Sequence, residues 1–416
     1  MMRWRSLRTE SDGLLLGNPY RALINIGEDC VRALLVELEP DAVGIIGSAR
    51  EKRTGPYTLN SVECVADLCE RALSKAEIST ESSLGHRVIA DYALVGVPDT
   101  WSLMASGRIK YRRQEPERKM DVSEFRTVLG RAVTFVLSQQ AEDTRPSEME
   151  VIYAAVTEVR IDGQRITDPL GFRGEELSLG IFLSLLRRER SQYLRDIGYE
   201  LDLDPVRLVP LLHALATCLP VSEGIGILLD DSHTDVFRLL DTRVVASRRI
   251  PEGIRHMMMG LTDALGIPPG DAQRLRRAHR RGLLDSDMAV RVERELLRQM
   301  WLWSLNVRPA VKSVAQDVIP ARIYLCGTGD GLESMQVILS SPEWRKGLRF
   351  ARHPKVSCFG PGDVTPVLDR MGDLREMSDL GMRCLAVYAR SEAQPASHPD
   401  ALLDEILRAR GYIHSI

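Results

Sequence analysis

Twice in this chain an apolar run, a short polar corner and a second apolar run lead into an amphipathic helix. That recurrence constrains the fold more than any other feature of the sequence. The first copy is "RALINIGEDCVRALLVEL", with Gly27, Glu28 and Asp29 at its corner, and helical spacing follows in "VADLCERALSKAE". The second is "GILLDDSHTDVF", Gly226 to Phe237, followed by "IRHMMMGLTDALG". Each reads as a β-hairpin feeding a helix, and two halves that open alike predict a duplicated β-rich α/β unit. Sequence identity between the halves is negligible, so the inference rests on pattern. At 416 residues the chain is also too long for one simple core. The second corner poses a chemical question, because it holds two aspartates, a serine and a histidine but no glycine.

Bulk properties remove several functional classes. Hydrophobic content of 44% with 27% charged residues is that of a soluble protein, and a net charge of -3 gives no general attraction to nucleic acid. The seven cysteines, Cys30, Cys64, Cys69, Cys218, Cys326, Cys358 and Cys384, are scattered with no CxxC pair. Reduced thiols in a cytoplasmic protein, with no metal site, are expected. No stretch approaches the roughly 18 consecutive apolar residues of a membrane span. The basic opening "MMRWRSLR" is followed by no apolar core, so secretion is not expected.

Between the hairpins, "HRVIADYALVGVP" reads as a strand running into the charged stretch "GRIKYRRQEPERKMDVSEF". A helix, "VLGRAVTFVLSQQ", and a strand, "MEVIYAAVTEVRIDG", complete a compact α+β insert. "EELSLGIFLSLLRRERSQYLRDIGYEL" then passes from strand to helix. Residues from about Asp271 to Asn306 read as helical and highly charged. "ARIYLCGTGDGL" is a buried strand entering a glycine-rich turn, "SEAQPASHP" a linker, and "DALLDEILRARGYI" a last short helix.

Several stretches point to one family. "RIDGQRITDPLGFRGEEL" (Arg160 to Leu177) is similar to a D-G-Q, D-P-x-G, G-x-x-L signature. "INIGEDCV" stands where a phosphate loop D-I-G-T-S-K-V is found, and "RRIPEGIRHMMMGL" resembles I-P-x-G-G-x-x-I-T-x-D. "DAQRLRRAHRRG" resembles A-E-x-L-K-x-x-x-G, and "RIYLCGTGDGL" an adenosine loop, L-T-G-G-x-x-x-I. From about Tyr20 to Arg390 the chain resembles the FtsA family of bacterial cell-division proteins, within the actin and Hsp70 ATPase superfamily. The resemblance implies an α/β, two-lobed actin-like ATPase fold of duplicated RNase H-like subdomains, with a nucleotide cleft and an FtsA-type α+β insert in the first lobe. It also implies boundaries: an arm at 1–19, the first lobe at 20–91, the insert at 92–165 and the first lobe again at 166–221. The second lobe's large subdomain would be 222–264 and its small helical subdomain 265–317. Residues 318–390 would complete the second lobe and return to the first, before a linker at 391–399 and an amphipathic helix at 400–416.

Against that family the nucleotide loops are altered. Phosphate loops need glycine so that backbone N–H groups approach the anion, and nearby cations to offset its charge. Gly27 is kept, but Asn25 replaces the metal-associated aspartate, Glu28 and Asp29 replace small hydroxyl residues, and Cys30 replaces a lysine. The second loop, D-I-G-G-G-T-x-D-I, aligns without gaps to put Leu228 at the first aspartate and Asp230, Asp231 and Ser232 at the glycines. A two-residue deletion puts Asp230 at the aspartate and still removes the glycines. Thr234 and Asp235 survive either way. Gly253 is kept, while Ile254, Met258 and Gly260 replace a glycine, a threonine and an aspartate. Gln273 and Arg276 stand for Glu and Lys at the ribose contacts. The adenosine loop keeps Gly327, Gly329 and Gly331. Two like charges about 4 Å apart repel by about 4 kcal/mol at an effective dielectric near 20. That is half of a micromolar affinity of about -8 kcal/mol. A degenerate site with no catalytic residues is expected, with ATP and Mg2+ as ligands only if the loops retain them.

Two surface features suggest partners. Arg274, Arg276, Arg277, Arg280 and Arg281 crowd "RLRRAHRRG", either as a solvated face or as a basic patch for an acidic tail. In the FtsA family the corresponding subdomain holds the tail peptide of the tubulin-like FtsZ, so an FtsZ-like tail is the implied partner. Leu402, Leu403, Ile406 and Leu407 share one face of the last helix, near the family's membrane-binding helix. Asp400, Asp404 and Glu405 oppose anionic lipid, so docking on its own or a neighbouring subunit is favoured over a membrane surface. The expected function is a cytoplasmic scaffold or membrane tether for the FtsZ division machinery, with head-to-tail self-association and no nucleic-acid partner. A platform like PilM of type IV pilus machines and an active actin-like ATPase remain the alternatives.

Overall fold

The computed structural model describes residues 18–27, 30–52, 62–139, 145–203, 206–315, 318–327, 331–372, 380–391 and 397–413. Contacts divide the chain into two compact units, Met1–Cys218 with Val364–Ile416, and Leu219–Asp363.

The first unit begins with β1 (Tyr20–Ile26), β2 (Cys30–Leu38) and β3 (Val43–Lys52), an antiparallel meander, then α1 (Val62–Leu84) and β4 (Ala93–Val97). β4 runs parallel to β1. Ala22, Leu23 and Ile24 of β1 are all buried, as befits a central strand covered on both faces. α1 lays Val65, Cys69, Ala72, Leu73 and Ala76 on this sheet at helical spacing. Gly47 permits that approach, because a Cβ there would run into the Ala76 carbonyl.

The chain then leaves the sheet to build a four-stranded antiparallel layer in the order β5-β8-β6-β7. It comprises β5 (Ser102–Arg112), α2 (Val122–Ser138), β6 (Met149–Ile161), β7 (Gln164–Ile166) and β8 (Glu176–Arg187). Asp121 caps α2 by accepting from the Glu124 N–H. α3 (Arg188–Glu200) and β9 (Val206–Pro210), parallel to β4, bring the chain back, and α4 (Leu211–Cys218) follows. His213 of α4 is fully buried, stacked 3.7 Å from the Tyr153 ring with the Phe182 edge at 5.0 Å. Its Nε2 and the buried Ser184 Oγ have no hydrogen-bond partner among the described residues.

The second unit repeats the plan. β10 (Glu223–Leu229), β11 (Thr234–Leu240) and β12 (Arg243–Ile250) form the meander, and the helical cap is α5 (Ile254–Leu265), α6 (Pro269–Arg280) and α7 (Ser286–Ala315). β13 (Arg322–Gly327), α8 (Leu332–Ser340), α9 (Pro342–Arg345) and β14 (Lys355–Phe359) complete it, with β13 parallel to both β10 and β14. Gly226 makes room for the Phe237 ring, which a Cβ would strike. The sheet order is β12-β11-β10-β13-β14, matching β3-β2-β1-β4-β9 in position and direction. In the first unit β15 (Val367–Asp369) adds a strand parallel to β3 before α10 (Leu380–Ser391) and α11 (His398–Ala409).

Both expected bounds of the insert need correction. β4 lies inside the expected 92–165 insert but belongs to the central sheet, whereas β8, beyond residue 165, pairs with β5 and β6. Sheet membership is a tertiary property that local periodicity does not reveal. The return to the first unit starts at Val364. The last helix docks on its own unit, the reading favoured over lipid from the sequence. Leu402, Leu403, Ile406 and Leu407 are at most 6% exposed and share a core with Phe125, Val128 and Leu129 of α2. Asp400 accepts from Val156 N at 2.8 Å, and Arg126 pairs with Glu405 at 2.7 Å. The apolar face considered for lipid is thus covered by the insert. Among the described residues, no helix is long and apolar enough to cross a membrane.

Candidate functional site

The second hairpin places four of the sequence candidates around one turn. Asp230 N donates to His233 O at 3.0 Å, closing a tight four-residue corner between β10 and β11. The Asp230 side chain accepts from Asp231 N at 2.7 Å. The carbonyls of Asp230 and Asp231 then accept from Ile254 N (3.0 Å) and Arg255 N (2.8 Å), the first N–H groups of α5. Those donors are the ones a helix N-terminus offers to an anion, and here the turn's own oxygens take them. The contact explains Gly253 without a phosphate. A Cβ there would lie 2.6 Å from Asp231 O and from His233 N and would strike Asp230 O.

The surviving loop residues are equally committed. Thr234 donates its hydroxyl to Glu252 O at 2.7 Å and accepts from Trp303 Nε1 at 3.0 Å. Asp235, 1% exposed, accepts from both Arg249 Nε and Nη2 at 2.9 Å. His233 Nε2 lies 3.2 Å from the same carboxylate, and Ser232 Oγ lies 3.2 Å from His233 Nδ1. Burial opposes ionisation of Asp235, yet the hydrogen bonds and charges of His233 and Arg249 hold its carboxyl below the ordinary carboxylate value. Burial likewise opposes protonation of His233, but the Asp235 hydrogen bond and charge push it above the ordinary imidazole value. Asp231 is paired outside the core, with Arg255 Nη2 at 2.6 Å.

These pairings revise the electrostatic argument made from sequence. Of the aspartates at the glycine positions, Asp231 is not an unrelieved negative charge, because the Arg255 guanidinium lies against it. The retained Asp235 is likewise paired with Arg249. What the turn does is place the carbonyls of Asp230 and Asp231 on the first N–H groups of α5. Arg249 and Arg255 are not distinguished as site residues by the sequence. A two-residue turn, Asp241-Thr242, with φ values of 50° and 62°, joins β11 to β12. Counting back from it opposes Asp235 to Arg248, but the register shift between Arg238 and Leu239 delivers Arg249 instead.

The other candidates are dispersed. Asn25 and Gly27 lie at the end of β1 in the first unit, where Gly27 N donates to Cys30 O at 2.9 Å. Cys30 is buried, and Asn25 Oδ1 has no partner among the described residues. Glu28, Asp29 and Gly329 lie outside the described residues. Gly327 adjoins the hairpin, pairing with Leu229, whose carbonyl a Cβ at Gly327 would strike, and Gly331 starts α8 at φ 103°. Gln273 is exposed and Arg276 half-buried on α6. Arg274, Arg277, Arg280 and Arg281 are exposed along or just past that helix. Arg274 and Arg291, with Asp271, edge a cavity of about 370 Å³ whose apolar wall includes Leu265, Leu275 and Met288. Among the described residues, no cluster of His, Cys, Asp or Glu suits a metal ion.

No protein-family model matches the chain, and no curated protein matches its sequence. Among solved structures, a chain of the PilM-PilN type IV pilus biogenesis complex is similar with a TM-score of 0.57 at 14% identity. The match covers 89% of this chain and 98% of that chain. Ethanolamine utilization protein EutJ from Carboxydothermus hydrogenoformans gives a TM-score of 0.42 at 12% identity, over 83% and 86% of the two chains. A ROK family glucokinase from Streptomyces griseus gives 0.44 at 13% identity, over 89% and 99%. At such identities the likeness is one of fold and does not separate an FtsA-type chain from a PilM-type one. The chain has the two-lobed actin-like ATPase fold, an α/β architecture built on the strand order repeated in its two sheets.

Proposed function

We propose that this chain is a docking platform rather than a turnover ATPase, with its second phosphate loop converted into a structural clasp. One observation carries the reading: the N–H groups at the start of α5 are bonded to the carbonyls of Asp230 and Asp231. An incoming phosphate would have to displace backbone bonds and separate Asp231 from Arg255. Calorimetry with Mg-ATP tests it. No heat and no thermal shift are expected, and micromolar binding with phosphate release would overturn the platform reading.

The partner in this proposal is a protein tail docked on the helical cap. The cavity edged by Arg274 and Arg291 suits a peptide that presents one apolar side chain beside a carboxylate. An FtsZ-like tail, implied by the resemblance to the division family, is the first candidate. Such a protein would work in the cytoplasm at the inner face of the membrane, held there by its partners. Co-sedimentation with FtsZ, with and without its C-terminal tail, tests this, and Arg274→Glu with Arg291→Glu is expected to abolish tail-dependent pelleting. A pilus-assembly role is favoured separately by the PilM-PilN likeness. Genes for pilus assembly rather than division beside this one would select it.

A further inference from the structure

α7 has apolar residues on two sides. One side faces the unit's core through Val292, Met300, Trp303, Val307 and Val311. On the outward side, Val290 is 63% exposed, Leu297 42% and Leu305 38%, and Trp301 is half-buried. These four recur at spacings of seven, four and four, so they fall within about 80° of arc on the helix. A solvated helix face has no need of such a stripe, and its spacing is that of a seam between two helices.

The charges at its ends say what covers it. Asp287 stands in the first turn, in the same sector as the stripe, and Arg308 and Lys312 stand in the last turns. A second α7 laid parallel would oppose like charge to like charge at both ends. Laid antiparallel about a two-fold axis near Leu297, it opposes Asp287 to Arg308 and Lys312 twice, and the helix dipoles also run favourably. Arg294 then lies toward the second copy's Trp301, where a guanidinium can rest on an indole face.

We infer that two copies of this chain associate through an antiparallel α7–α7 contact, an isologous dimer that closes upon itself. This differs from head-to-tail association, which propagates into filaments. A single helix per copy buries less than the roughly 1,200–2,000 Å² of stable complexes, so the dimer is weak and concentration-dependent.

Sedimentation equilibrium of the full chain across a concentration series tests the proposal. A monomer–dimer equilibrium is expected, and Leu297→Glu with Leu305→Glu is expected to weaken it at least about tenfold while leaving the thermal unfolding midpoint in place. In a Cys64→Ser background, Leu297→Cys is expected to form an intermolecular disulfide. Val290→Cys is expected not to, since those residues would sit about 20 Å apart across the axis. A chain that remains monomeric at about 1 mM, or one that grows past the dimer, overturns the inference. So does a dimer indifferent to the double glutamate variant, or one cross-linked by Val290→Cys. Monomers that float with phosphatidylglycerol vesicles in a Leu297-dependent manner would assign the stripe to lipid instead.

Discussion

The corner after β1 and the corner after β10 hold equivalent places in two sheets of the same strand order, yet they are finished differently. In the first, a buried thiol, Cys30, stands beside Gly27, and the polar Asn25 Oδ1 has no bond among the described residues. In the second, Asp235, Asp231, Thr234 and the carbonyls of Asp230 and Asp231 are bonded to Arg249, Arg255, Trp303 and the start of α5. The two buried histidines show the same contrast. His213 sits among aromatic rings, whereas His233 has its Nε2 3.2 Å from the Asp235 carboxylate. Burial is common to both, so the neighbours decide whether a buried polar group becomes a liability or a clasp.

The comparison breaks most severely at Asp235. Arg249→Met leaves a buried carboxylate with only His233 beside it, and a loss of about 3 kcal/mol is expected in urea unfolding. Asp235→Asn combined with Arg249→Met should recover part of that loss, because the uncompensated charge is then gone.

Glycine substitutions compare the two corners directly. Gly253→Ala forces a Cβ onto the carbonyls of Asp230 and Asp231, which bond to α5 and have little room to yield, and about 2 kcal/mol of destabilisation is expected. Among the described residues, a Cβ at Gly27 meets only Cys30 O at 3.1 Å, so Gly27→Ala should cost less than half as much. Equal effects in thermal melts would remove the asymmetry between the two corners.

The histidines should respond to pH with opposite signs. Burial pushes His213 down to about 3 from 6.5, so below pH 6.5 the unfolded chain takes up a proton that the folded chain refuses. Stability should therefore fall from pH 6.5 toward 3 by about 1.4 kcal/mol per pH unit, and His213→Phe should flatten that limb. His233 is raised above 6.5, so its contribution is present in full below 6.5 and is lost as pH rises through the raised value. Histidine proton NMR titrations check both. The smallest effect is expected at Arg255→Ala, under about 1 kcal/mol, because its ion pair with Asp231 is half in water.

Much of this architecture is legible in the sequence. The hairpins and their following helices declare themselves through apolar runs broken by polar corners, and the duplication follows from their recurrence. The clasp was half readable. Thr234, Asp235 and Gly253 stand out, but Asp231 and Arg255 are 24 positions apart and nothing local announces their pairing. The bulge at Arg238 and Leu239 hides Arg249 in the same way. The amphipathic face of α11 was visible, but an apolar face says only that something covers it, and here the cover is α2 and β6.

That cover has a consequence for how the protein is made. Asp400 bonds to Val156 across 244 positions of chain, and Leu403 and Leu407 fill a core otherwise built from residues 105–185. During synthesis the insert's sheet and α2 emerge long before α11, with the apolar surface meant for α11 still open to water. The insert therefore has to wait for the second unit to be translated before its core can close, and the length of that wait is set by the 145 residues of the second unit, Leu219–Asp363.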